Sequence, residues 1–149
     1  MKKNVLLSLK GLQMQGDIED RDEIETITPA EYFFKNGKHY VVYEEILEGF
    51  DVPVKNVMKF YDDTLEVSKK GAISVNMLFE SNRKNVTSYQ TPFGTIMLGV
   101  DTDTVEIIEE EERILVHVDY VLEANYQHIA DCRIEMEIRE KKEGLKLFQ

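Results

Sequence analysis

Apolar and polar residues alternate along most of this chain with the period of two that a half-buried strand requires. Ile73, Val75, Met77 and Phe79 alternate with Ser74 and Asn76, and Ile114, Val116, Val118, Tyr120 and Leu122 share one face of the long run from Arg113 to Tyr126. Ile134, Met136 and Ile138 lie opposite Arg133, Glu135, Glu137 and Arg139 in the run from Ile129 to Arg139. Residues 4–14 begin as a strand, with Val5, Leu7 and Leu9 on one face, Leu6 and Leu12 on the other, and Gly11 permitting a bulge or a sharp bend. From Ile24 to Phe34 β-favouring residues dominate, and Pro29 among them implies an edge position or a kink, because it has no N–H for a ladder. The acidic stretch from Asp17 to Glu25 reads as a loop or the frayed start of that strand.

Turn chemistry punctuates these runs. Asn36-Gly37 between two β-rich segments predicts a two-residue type I′ hairpin. Pro92 and Gly94 predict a type I turn closed by a glycine bulge, joining Val86–Gln90 to a strand that starts at Thr95. Asp62-Asp63, Ser81–Lys84 and Asn125–His128 read as further turns, and Leu47–Asp51 as a loop. Asp101-Thr102-Asp103 either breaks or turns its strand before Val105–Ile108 resumes it, and the carboxylates of Glu109–Glu112 mark a hairpin tip. About eight to ten antiparallel strands with little helix follow. One all-β domain over 1–149 is expected, as an up-and-down barrel or a sandwich, and closure without exposed edges favours the barrel. At this strand number the interior is just wide enough for side chains or one small ligand.

Charge narrows the partners. With 29 acidic against 18 basic residues the net charge is −11, which repels nucleic acid and anionic membrane surfaces. The internal basic pairs Lys69-Lys70 and Arg83-Lys84 flank predicted turns and read as solubilising loop charges. Val5-Leu6-Leu7 after Lys2-Lys3 is too short for the core of a signal peptide, and no run approaches a membrane span. Cys132 is the one cysteine, so no internal disulfide forms, and the expected location is the cytoplasm.

Three segments carry a family resemblance: Tyr32-Phe33-Phe34-Lys35-Asn36-Gly37-Lys38-His39-Tyr40, Gly71-Ala72-Ile73-Ser74-Val75-Asn76-Met77-Leu78-Phe79-Glu80 and Tyr89-Gln90-Thr91-Pro92-Phe93-Gly94. In that order, with Arg133-Ile134-Glu135-Met136-Glu137-Ile138 near the end, the chain resembles the YwiB-like family of small bacterial proteins, a domain of unknown function with a calycin-like β-barrel. The resemblance implies a barrel related in shape to lipocalins and fatty-acid-binding proteins, and brings no activity or catalytic residue with it. The chain departs from both of those groups. It has no tryptophan for the lipocalin Gly-x-Trp signature, and Glu135 stands where an Arg-x-Tyr carboxylate clamp starting at Arg133 would need its tyrosine.

Candidate chemistry is sparse. No phosphate-binding glycine loop, nucleophile elbow, Cys-x-x-Cys pair or His-Glu-x-x-His motif occurs. His39, at the start of a hairpin strand, is expected in solvent, and His128 in a turn. His117 shares a face with Arg113, Leu115, Asp119 and Val121: pointing inward, these line a partly polar cavity; pointing outward, they form a solvated stripe. The stronger apolar face of Ile114 through Leu122 favours the outward reading. Tyr43, Tyr89 and Tyr120 fit either an aromatic cavity for a small organic ligand or plain core packing. Cys132 beside Arg133 reads as an ordinary buried or half-buried thiol. The function expected is a small binding barrel for a partly apolar ligand, with Tyr43, Tyr89, Arg113, His117 and Tyr120 as candidate contacts. No metal, no cofactor and no catalytic residue is expected. A module that pairs with a second copy or another protein is the rival.

Overall fold

The computed structural model describes residues 3–11, 25–46, 49 and 51–141. Ten strands run in order: β1 (Lys3–Lys10), β2 (Glu25–Lys35), β3 (Lys38–Glu45), β4 (Val54–Tyr61), β5 (Thr64–Lys70), β6 (Ser74–Glu80), β7 (Arg83–Thr91), β8 (Gly94–Glu109), β9 (Arg113–Ala124) and β10 (Gln127–Glu140). Each lies beside its sequence neighbours, and β1 pairs with β10 to close an antiparallel up-and-down barrel. Among the described residues there is no helix, and so none long and apolar enough to cross a membrane. Leu12, the Asp17–Ile24 stretch and the middle of the Leu47–Asp51 loop lie outside the described residues.

Turn chemistry sets the registers. Asn36 and Gly37 both take positive φ (53° and 77°), as a type I′ turn demands, and Lys35 pairs with Lys38. The second hairpin corrects the expected glycine bulge: Thr91 pairs with Gly94 and Gln90 with Thr95, so Pro92-Phe93 is a two-residue loop and Gly94 is already in the ladder. The Thr91 hydroxyl accepts from the Phe93 N–H (3.1 Å) and donates to the Gly94 carbonyl (2.9 Å), which tightens the loop. The Asp101–Asp103 segment neither breaks nor turns its strand. It is a bulge between Thr102 and Thr104 inside a continuous β8, which lets Thr102 and Val105 both face inward.

The alternation read from the sequence becomes the inner wall. Val5, Leu7, Val41, Met58, Phe60, Val67, Met77, Phe79, Val100, Val116, Val118, Ile134 and Met136 are buried in one cluster. Phe79 on β6 and Tyr120 on β9 meet edge to face, with ring centroids 4.9 Å apart. Two strands separate β6 from β9 in the wall, so this contact reaches across part of the lumen.

Two seams interrupt the wall. The β2–β3 ladder runs from Lys35↔Lys38 only to Glu31↔Val42; beyond that, β2 pairs with β1 alone and β3 with β4 alone. Pro29 lies on that unpaired part of β2, where it has no N–H to offer β3. Between β6 and β7 the registered pair is Ser74↔Gln90. The Ser81-Asn82 turn by itself would set Glu80 opposite Arg83, one residue out of step with that pair. Asn85 bridges the mismatch, its amide donating to the Leu78 carbonyl (3.0 Å) and to Glu80 (3.3 Å).

Candidate functional site

Each end of the lumen holds a polar group at a position that strand parity assigns to the inside. At one end is His39, 6% exposed. Its ring stacks on Phe60 (4.9 Å, 12°) and meets the edge of Phe34. Nδ1 lies 2.7 Å from the Tyr32 hydroxyl, and Nε2 lies 3.1 Å from a Glu109 carboxylate oxygen. A neutral imidazole satisfies both: Tyr32 donates to Nδ1 and Nε2–H donates to Glu109. Burial lowers the His39 pKa, opposed by the Glu109 charge, and burial raises that of Tyr32. The expectation that His39 faces solvent is therefore corrected: it shares parity with Val41 and Tyr43, and three aromatic neighbours cover it.

At the other end lies a buried ion pair. Lys69, with a side chain 2% exposed, projects inward from β5 between two paired neighbours. Its ammonium donates to Glu45 Oε1 and to Asn56 Oδ1, each at 2.6 Å. Asn56, fully buried on β4, donates one amide hydrogen to the same Glu45 oxygen (3.1 Å) and the other to the Val54 carbonyl (3.3 Å). Two donors thus converge on one carboxylate oxygen. Glu45 itself is the last residue of β3, its side chain 29% exposed. Reading Lys69 as a solubilising loop charge is also corrected. Lys69 follows Leu65 and Val67 at a spacing of two, as Asn56 falls between Val54 and Met58 and Glu45 follows Val41 and Tyr43. That parity is the signal that identifies all three as inward-facing.

Where β2 and β3 part, a cleft of about 440 Å³ opens, lined by Pro29, Ala30, Val42, Tyr43, Glu44 and Lys55 among others. Tyr43 links the cleft to the ion pair: it lines the one, and burial together with the Glu45 charge pushes its hydroxyl pKa well up.

The sequence-derived contacts are scattered. Tyr43 and Tyr120 are buried in the lumen, and Tyr89 packs half-buried against the core from β7. Arg113 and His117 face outward, as the apolar stripe of β9 favours. His117 Nε2 lies 2.8 Å from Asp119, which also accepts from Arg133 (3.4 Å), and these contacts lower the Asp119 pKa, His117 foremost. Arg113 sits apart from them, bound to Glu110 and Glu137. Outer-wall depressions of about 550 and 460 Å³ pass this stripe, lined largely by charged side chains. They are larger than the cleft and, like it, open on the outer side of the wall. Among the described residues, no three His, Cys, Asp or Glu side chains are grouped to hold a metal.

The model of the family described as Domain of unknown function (DUF1934) matches residues 7–136. The chain is 25% identical over 139 residues to the "Uncharacterized beta-barrel protein YwiB" of Bacillus subtilis (strain 168), covering 92% of this chain and 96% of that protein. The crystal structure of the ywiB protein from Bacillus subtilis superposes with a TM-score of 0.77 at 20% identity, over 95% of this chain and 94% of the other. At that identity the likeness bears on the fold alone.

Proposed function

We propose, for a chain that belongs to the DUF1934 family of β-barrels, a role as a small binding barrel that takes a small, partly apolar ligand at the Lys69 end of its lumen. One observation carries the reading: a fully buried ammonium whose counter-ion, Glu45, comes from a partly exposed strand end, one residue beyond the cleft-lining Glu44. Buried ion pairs are poor stabilisers, often no better than apolar side chains of the same volume. Binding gives this one a use that packing does not. The Phe79–Tyr120 contact crosses part of the lumen, which favours the lumen's end over its centre for a ligand. A cytoplasmic location belongs to the same reading, since the barrel closes without a disulfide.

Pairing with a second copy or another protein is the competing reading. It is favoured by Phe93, 94% exposed at a hairpin tip, and by the largely exposed Tyr126 at the β9–β10 tip. Native mass spectrometry of the protein purified from its own cells separates the two. A ligand-sized mass on the wild type, lost in Lys69→Met, supports the binding barrel; a bare monomer refutes it, and a doubled or foreign mass supports pairing.

A further inference from the structure

We infer that the ligand of the Lys69 site carries a single carboxylate and that Glu45 holds its place in the empty site; the inference rests on the binding role proposed above. The two donors are fixed. Asn56 and Lys69 stand on β4 and β5, each paired on both sides, and the Asn56 amide is oriented by the Val54 carbonyl and the Lys69 ammonium. The acceptor is not fixed in the same way. At Glu45 the β3 ladder to β2 has already ended, β4 alone holds the backbone, and the following residue, Ile46, is exposed.

A carboxylate oxygen at the Oε1 position meets two donors whichever molecule supplies it. Exchange keeps the buried site neutral, one negative charge replacing another beside one ammonium, while Glu45 turns into water. A phosphate dianion would leave a second charge without a partner, so the charge count selects a monocarboxylic acid. Its apolar body leaves past the end of β3, where Glu45 is partly exposed and Ile46 is exposed.

Hexanoate and its uncharged counterpart hexan-1-ol test the assignment, read from the Lys69 side-chain NMR signals and from calorimetry. Hexanoate is expected to bind saturably and hexan-1-ol to bind at least roughly tenfold more weakly. Lys69→Met should weaken hexanoate by about tenfold or more, while Glu45→Gln, which removes the competing charge and keeps the side chain's shape, should tighten it severalfold. Equal binding of acid and alcohol overturns the carboxylate and leaves the binding barrel standing. So does hexanoate binding that Lys69→Met does not change, or that Glu45→Gln weakens. Failure of both probes, together with a bare monomer in native spectra, overturns both readings.

Discussion

Gly11 lies so close to the backbone of Arg133 that a Cβ built on it would stand 1.7 Å from the Arg133 carbonyl oxygen. Its φ of 88° is also one that side chains resist. Gly11, the residue that follows β1, thus sits directly against the β10 backbone. Gly11→Ala should cost roughly 2–4 kcal/mol, combining backbone strain with overpacking against an atom that cannot rotate away. Gly37→Ala has the positive φ without the clash and should cost about 1 kcal/mol. Urea unfolding of the pair checks this; equal costs would show that the close approach is relaxed in solution.

The two halves of the buried ion pair should respond unequally to truncation. Glu45→Ala strands a buried ammonium and is expected to cost about 3–5 kcal/mol. Lys69→Met leaves the carboxylate at a strand end where water reaches it, and should cost less. The triple variant Glu45→Leu/Asn56→Leu/Lys69→Met should lie near wild type, whereas the double variant Glu45→Leu/Lys69→Met recovers only part of the loss because it strands the buried Asn56 amide. A triple variant as unstable as Glu45→Ala would mean that the pair itself holds the barrel together.

Stability should depend on pH through His39. Its folded pKa lies below the ordinary 6.5, chiefly from burial, so the unfolded chain takes up the proton first. The contribution is complete above pH 6.5 and is lost as pH falls from there through the lower folded value. Asp119 and Glu137, lowered mainly by hydrogen bonds from His117 and Arg113, add a second loss below the ordinary carboxylate range, kept small by solvent exposure. His39→Gln should flatten the first slope and leave the second. Thermal midpoints across pH 2–8 report it, and an unchanged profile in the variant would place the titration elsewhere.

Hydrogen exchange should find the β6–β7 seam. With one registered pair and a side-chain bridge in place of a full ladder, amides of β6 and β7 that face each other should exchange roughly 10–100-fold faster than those of β9, paired along its length on both sides. Asn85→Ala removes the bridge and should destabilise by about 1–2 kcal/mol. Uniform protection around the barrel would refute the seam.

Much of this architecture was legible because turns and parity are local. Asn36-Gly37 and Asp62-Asp63 fixed two hairpins by backbone conformation alone, Pro92–Gly94 placed a third but not its register, and the Ile114–Leu122 stripe chose the inner face of β9. The β1–β10 closure was less accessible, since the pairing Leu7↔Ile138 joins segments from opposite ends of the chain. The Lys69 site was hidden for another reason. A charged residue beside a turn reads as solvated, and only the partner carboxylate and amide, brought from β3 and β4, make its burial tolerable. Parity pointed to Lys69 while charge pointed away, and the neighbours that decide between them are 24 and 13 positions distant. His39 was obscured likewise by its place next to a hairpin.

The pairing of the first strand with the last also governs how the chain must be made. As the protein leaves the ribosome, β1 gains β2 early, but its other edge waits for Met136 and Ile138 to emerge. Until then Leu7 and Leu9 border an open sheet, the arrangement most prone to stick to other nascent chains. Translation arrested before Gln127 would therefore release a product with nine strands and two raw edges, fit for a chaperone or a protease, and unable to become a barrel by itself.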